Sequence, residues 1–433
     1  MALLTERRMQ WRSRRRRPRH FSPSVKRALG LSLVTGAADD DPSAIGTYTS
    51  VGARLGWSAL WMAPALVPMM AVIVYLAAKL GQVTGQGLGA VVRDHCPRLV
   101  LYAIMIAVVA GNTIEAAADL GGLAAATNLL LPIPLVWLVI GFAAAVLAIQ
   151  MAGSYVQMRS IFRWLAMALV AYIGAALLAH PDLAQTLRGT LLPHLHWDHE
   201  SRLLLVAVIG TSLSPYLYVW QTSQEVEEHA AKGVRRKEDR AQATAGDLRF
   251  TAWDVILGMM FSNLVMYFVI LAAAATLFRA GIPELTTAAE VARALGPLAG
   301  RAAGALFALG IIGVGVLALP VMSAGAAYIV CDGMGWKNGL GSSPRHAPQF
   351  YTVVIIVTVA AAGLNFFGLN PIQALVSAGV VQGLLAPVLM LLIMLLTRRT
   401  EIMGSFTNSR PVNVLGWLTT LLATTAAVAL LVG

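Results

Sequence analysis

The stretch Gly36-Ala37-Ala38-Asp39-Asp40-Asp41-Pro42-Ser43-Ala44 decides the fold, because it sets three carboxylates and a proline inside a long apolar segment. Pro42 has no amide hydrogen and biases Asp41 away from helical backbone, so a helix running into this stretch must unwind. A second apolar segment breaks in the same way at Gly210-Thr211-Ser212-Leu213-Ser214-Pro215-Tyr216. Hydrocarbon tolerates carboxylates and unwound backbone only where they face protein or a water-filled cavity. Broken helices at corresponding positions of two halves are the mark of a carrier built on inverted repeats, with its site near the bilayer midplane. Three consecutive aspartates at one break point to a cation.

Working outward, the composition excludes a soluble domain: 58% of residues are hydrophobic and 12% charged, the mean hydropathy is +0.70, and roughly 25% charged is usual for a soluble chain. The expectation is an all-α polytopic membrane protein. A net charge of +11 would suit nucleic acid, but the charge is gathered in an arm, residues 1–27, that includes Arg12, Arg14, Arg15, Arg16, Arg17 and Arg19. Next to a membrane segment such an arm reads as a cytoplasmic anchor touching anionic lipid, with no nucleic-acid partner. It does not read as a signal peptide, since the apolar stretch after it lacks a small-residue cleavage site and carries aspartates. Cys96 and Cys331 are too few for a disulfide framework or a thiolate cluster.

A membrane helix needs about 20 apolar residues. By that rule eleven spans are expected, near 28–52, 57–80, 98–129, 132–151, 161–179, 203–222, 251–278, 302–330, 351–368, 371–397 and 411–432. With the N-terminus inside, only Arg54, Arg188, Arg202, Arg279, Arg293 and Arg301 of the 32 Lys and Arg fall on the far side. The positive-inside rule then predicts a cytoplasmic N-terminus and an external C-terminus. Spans one to five (28–179) and six to ten (203–397) form two units of opposite orientation, each opening with a broken helix. The segment 180–202 is an external loop, 411–432 an extra span, and Glu225 to Arg249 a cytoplasmic helix or loop after span six.

Unwinding at Asp39-Asp40-Asp41 frees carbonyl oxygens beside carboxylates, a hard donor set suited to Mg²⁺, Mn²⁺, Ca²⁺ or Na⁺. Adjacent side chains on a helix diverge by about 100°, so one or two of the three face the site. Asp41 is the first choice and Asp40 the second. Capping of the half-helix that starts at Pro42 is a compatible structural role. In span six the break should free carbonyls near Thr211 and present the hydroxyls of Ser212, Ser214 and Tyr216, with Ser214 alternatively a plain helix cap. No Met, Cys or His stands there, which favours hard cations. Span three carries Asn112, Glu115 and Asp119 on one face; intramembrane carboxylates on one stripe read as an ion or proton path, unless Asp119 pairs with Arg163. Gln382, in an apolar part of span ten, either completes a cation shell or bonds a neighbouring helix. The external His194, His196 and His199 have irregular spacing and read as hydrated surface.

Asp41-Pro42 in span one, Arg93-Asp94-His95-Cys96-Pro97 before span three and Ala118-Asp119-Leu120 within it resemble the natural resistance-associated macrophage protein (Nramp) family of divalent-metal transporters. The resemblance covers nearly the whole chain after the basic arm. It implies the LeuT-type 5+5 inverted repeat, with eleven spans and with spans one and six broken. It also implies a transporter that needs no bound cofactor, its metal being cargo. The family's Asp-Pro-Gly-Asn reads Asp41-Pro42-Ser43-Ala44 and its Met-Pro-His reads Ser214-Pro215-Tyr216. The family's metal-binding Asp thus falls on Asp41, its Asn partner on Ala44 and its soft Met ligand on Ser214. A Glu associated with proton movement falls on Asn112, the span-six histidines fall on Tyr216 and Gln221, and the span-three Asp matches Asp119. The resemblance is to a divergent branch, some of whose members move hard ions such as Mg²⁺. It carries over metal transport but neither selectivity for Mn²⁺ and Fe²⁺ nor tight proton coupling. The expectation for this chain is thus a cation of the Mn²⁺, Mg²⁺ or Fe²⁺ class moved by alternating access with weak proton coupling or none.

The expectation is therefore uptake of a divalent cation into the cytoplasm across a bacterial inner membrane. A Na⁺- or H⁺-coupled carrier of a small organic solute is the main alternative, with Tyr216, Tyr218 and Trp220 lining its pocket; a proton-coupled Mn²⁺/Fe²⁺ symporter is another. An enzyme is not expected, because no nucleophile-base pair and no His-Glu-x-x-His motif is present.

Overall fold

The computed structural model describes residues 31–152, 169–194, 198–231, 243–282, 301–367 and 371–432. The basic arm, Arg163, His196 and Arg293 lie outside them. Every regular element described is helical.

The first span is two helices, α1 (Leu31–Asp39) and α2 (Pro42–Leu55). Asp41 leaves the helical region at φ −67°, ψ 172°, its carboxylate accepts from the Ala44 amide, and Pro42 occupies the first turn of α2, where a missing amide hydrogen costs nothing. The following helices are α3 (Met62–Thr84), α4 (Leu88–His95), α5 (Arg98–Leu130), α6 (Leu135–Ala152), α7 (Val170–Leu178) and α8 (Leu183–Leu191). The sixth span breaks between α9 (His199–Ser212) and α10 (Pro215–Ala231). Then come α11 (Ala245–Ala273), which runs on through a π turn to Phe278, α12 (Arg301–Met334), α13 (Pro348–Leu364), α14 (Pro371–Arg398) and α15 (Arg410–Val432).

Among the described residues nine helical stretches are long and apolar enough to cross a membrane. Of the eleven spans expected, the first falls short of that length because its break divides it, and the fifth is described only over α7. Span six continues as helix to Ala231, so Glu225, Glu227 and Glu228 belong to its second half and not to a separate loop. The segment 180–202 contains the short helix α8, capped by Asp182 through the amides of Ala184 and Gln185. His194 and His199 are exposed.

Burial is inverted relative to a soluble protein. Leu99, Leu421 and Val432 are exposed by 81%, 63% and 83%, whereas Asp39, Asp40, Asp41, Glu115 and Asp119 have no exposure at all. Apolar side chains outside and carboxylates inside make an integral membrane protein, whose exterior meets lipid.

Both broken spans lie at the centre. Helices α1 and α2 pack against α11 and α12, and α2 also against α5, α9 and α14. Two glycines permit this. Gly36 of α1 presses on the backbone of Gly258 in α11, and Gly210 of α9 on the backbones of Gly379 and Gly383 in α14. A Cβ at either position would enter the opposing backbone, so the broken helices would be pushed off their supports.

Candidate metal site at the first helix break

Three carboxylates converge on Ser43, the first residue after Pro42. Its amide donates to Asp119 Oδ1 at 2.9 Å. Its hydroxyl lies 2.9 Å from Asp41 Oδ1 and also contacts Glu115 Oε1. The Ala44 amide reaches the same Asp41 oxygen at 2.7 Å. Tyr216 of α10 completes the ring: its hydroxyl is 2.9 Å from Asp41 Oδ2 and 2.8 Å from the carbonyl of Ala38, freed by the break in α1. The two breaks are thereby joined, as broken helices around one site must be.

Other oxygens and nitrogens remain unsatisfied at this centre. Glu115 Oε2, Asp119 Oδ2, Asn112 Oδ1 and both amide atoms of Gln382 are buried with no hydrogen-bond partner. Gln382 of α14 faces Gly111 of α5 and lies beside the Glu115 carboxyl. Asn112 spends its amide on the Met322 carbonyl at 2.9 Å. Arg54 pairs with Glu200 and Arg93 with Asp94, both at the surface and away from this centre. Among the described residues no basic side chain forms an ion pair with these buried carboxylates. An unpaired buried charge costs several kcal/mol, so a cation entering this centre would be stabilised by it. Among the described residues no three His, Cys, Asp or Glu groups stand close enough together to ligate one ion by themselves. Neutral oxygens or retained water must complete any cation shell.

Asp41, Glu115, Asp119 and Tyr216 are thus linked around Ser43, with Gln382 beside Glu115 and Asn112 one turn before it on α5. Five other candidates, Thr211, Ser214, Asp40, Gln221 and Ala44, are placed differently from the expectation. The Thr211 carbonyl is not free, because the Ser214 hydroxyl turns back to it at 2.9 Å and to the Gly210 carbonyl at 2.8 Å. Ser214 therefore satisfies the end of α9 and does not cap α10, and the Thr211 hydroxyl bonds back to Ala207 and Val208. Asp40 faces away from Asp41, toward Ser262 of α11. Gln221 lies apart in a network toward the end of α10: it accepts from Thr35 at 2.6 Å and donates to Glu225 at 3.0 Å, and Gln82 holds the other Glu225 oxygen at 2.8 Å. Ala44 contributes only its amide.

Ser43, Ser262 and the Gln82–Glu225 pair were missed. Ser43 was visible inside the quoted motif, as a donor in the first turn of a half-helix. Ser262-Asn263 and Gln82 were visible as polar residues within apolar runs. Tyr218 and Trp220, candidates for an organic pocket, are committed elsewhere. Tyr218 donates to the Leu213 carbonyl at 2.6 Å and Trp220 packs edge-on to Tyr328.

The model of the Natural resistance-associated macrophage protein-like family matches residues 32–433. The chain belongs to the Nramp family. Nramp proteins are transporters and not enzymes. The chain is 28% identical over 402 residues to the divalent metal cation transporter MntH of Deinococcus radiodurans, covering 90% of this chain and 86% of that one. To MntH of Bacillus subtilis it is 26% identical over 414 residues, covering 93% and 91%. In three dimensions it resembles the Eremococcus coleocola manganese transporter, with a TM-score of 0.74 at 18% identity, covering 94% of this chain and 87% of that one. It also resembles Mhp1, a nucleobase-cation-symport-1 family transporter, with a TM-score of 0.58 at 13% identity, covering 92% and 91%. At such identities the structural likeness speaks for the LeuT-like fold.

Proposed function

We propose that this Nramp protein carries a divalent metal cation of the Mn²⁺, Mg²⁺ or Fe²⁺ class into the cytoplasm by alternating access. The observation that carries the reading is the convergence of Asp41, Glu115 and Asp119 on Ser43 at the break of the first span, with unpartnered oxygens left over. A divalent ion leaving water must recover its hydration from oxygen ligands. Asp41 supplies charge, Tyr216 and the Ala38 carbonyl lie on its other side, and Gln382 and Asn112 offer neutral oxygens from α14 and α5. The relatives named divalent metal cation transporters and the manganese transporter of the same fold support this choice of cargo. An organic solute has less support, since Tyr218 and Trp220 are used in packing.

Residues 28–179 and 203–397 serve as the two inverted repeats, 180–202 as the external loop and 411–432 as the eleventh span, with the N-terminus cytoplasmic, the C-terminus outside and the basic arm, 1–27, on anionic lipid. Metal movement is weakly coupled to protons or not at all, because Asn112, Tyr216 and Gln221 do not ionise usefully near neutral pH. Mn²⁺ and Mg²⁺ uptake into proteoliposomes tests the reading. Asp41→Ala should abolish uptake while the protein stays folded by its thermal melt. Parental uptake by that variant would show that the site lies elsewhere.

A further inference from the structure

Asp39 and Asp40 take no part in the Ser43 centre. Both turn to the opposite side of the break, where the hydroxyl of Ser262 on α11 lies 2.9 Å from Asp39 Oδ2 and 3.3 Å from Asp40 Oδ1. A single hydroxyl hydrogen serves one of these contacts at a time. Asp39 Oδ1 and Asp40 Oδ2 have no partner, and neither residue has any exposure.

The surroundings make the deficit worse. Asp39 ends α1, and the last turn of a helix presents unpaired carbonyls and the negative end of the helix dipole. Two carboxylates at that end, in a membrane interior, repel one another and the dipole together. Tyr172 of α7 adds an independent sign of a missing ligand. It is 1% exposed, its hydroxyl has no partner, and it lies within electrostatic reach of Asp40. On the side toward α9, Tyr48 is closed off by its hydrogen bond to Ser212 at 3.0 Å.

We propose that Asp39, Asp40 and Ser262 form a second cation site, separate from the Ser43 centre, that binds Na⁺. Every donor is a hard oxygen, as a small alkali cation requires. The charge sum also favours it, because one monovalent ion lowers the repulsion of the pair while leaving a net charge that lets it leave again. Carbonyls at the C-terminal end of a half-helix are fitting further ligands for such an ion. Occupancy would tie α1 to α11 and so favour one orientation of the broken span. Na⁺ would thereby take the coupling part for which the Ser43 centre lacks a proton relay.

The test is equilibrium binding of ²²Na⁺ to the purified full-length protein, alongside Mn²⁺ uptake in proteoliposomes with and without Na⁺. The parent should bind ²²Na⁺ saturably. Asp40→Asn should abolish that binding, and Ser262→Ala, which removes only one hydroxyl, should weaken it about tenfold. Asp41→Ala should retain ²²Na⁺ binding while losing Mn²⁺ uptake, so failure of the Ser43 centre and failure of this site give different results. No saturable ²²Na⁺ binding by the parent, or binding that survives Ser262→Ala unchanged and disappears in Asp41→Ala, would overturn the proposal.

Discussion

Asp41 and the pair Asp39-Asp40 are consecutive in the chain yet sit at opposite helix ends. Asp41 caps α2, at the positive end of its dipole, and takes hydrogen bonds from the Ala44 amide and from the Ser43 and Tyr216 hydroxyls. Asp39 and Asp40 lie at the negative end of α1 and share the single hydroxyl of Ser262. An ionised carboxylate is stabilised at the first place and penalised at the second. Each place also has a serine reaching two carboxylates, Ser43 between Asp41 and Glu115, and Ser262 between Asp39 and Asp40. The difference teaches that a broken helix offers two electrostatically opposite ligand sites within three residues. In the function proposed above the first, preorganised around Asp41, receives cargo, and in the further proposal the second stays in deficit until a cation arrives.

The largest effect that would break this comparison is expected at Asp41. Asp41→Ala should lower Mn²⁺ and Mg²⁺ uptake by a hundredfold or more, on the order of the loss of a charged ligand, whereas Asp39→Asn should leave divalent binding to the detergent-solubilised protein measurable by calorimetry. Equal losses in both variants would merge the two places into one site. Next in size is Ser43→Ala, which keeps the amide to Asp119 and removes the hydroxyl between Asp41 and Glu115. It should weaken divalent binding about tenfold, read by calorimetry, and an unchanged affinity would reduce Ser43 to a spacer.

A smaller change should follow Ser214→Met. The hydroxyl that ties up the Gly210 and Thr211 carbonyls is replaced by a thioether, so Cd²⁺ should gain several-fold over Mg²⁺ in competition binding. A parent protein that already binds Cd²⁺ far more tightly than Mn²⁺ or Mg²⁺ contradicts the hard character of the site. The smallest effect is expected from pH. Metal uptake should change little under an imposed pH gradient and should not acidify the vesicle interior, followed with a trapped pH-sensitive dye. Metal-driven acidification that vanishes in Asp119→Asn would restore a proton symporter and assign Asp119 the relay.

Much of the fold was legible. Long apolar runs gave the spans because each membrane helix must satisfy its own backbone and present hydrocarbon to lipid. Prolines 42 and 215 gave both breaks, since a missing amide hydrogen is a local fact. The stripe Asn112, Glu115 and Asp119 followed from helical spacing alone, and all three are fully buried. The extent of the sixth span was less legible: Glu225, Glu227 and Glu228 read as hydrated, but Gln82 and Gln221 supply the hydrogen bonds that let Glu225 be buried in the second half-helix.

By itself the sequence determined that this is a membrane protein with two helices broken at proline, and that carboxylates stand at the first break. Those features depend on residues a few positions apart, through backbone hydrogen bonding and helical periodicity. Only the tertiary structure decided which carboxylate meets which hydroxyl. Ser43 reaches Glu115 and Asp119 across 72 and 76 residues, and Ser262 reaches Asp39 across 223. The same packing turned Ser214 back on its own helix and sent Asp40 to the far side. Such pairings are set by the rotation and close approach of helices distant in the chain, at Gly36 against Gly258 and Gly210 against Gly379, and no local pattern encodes that rotation.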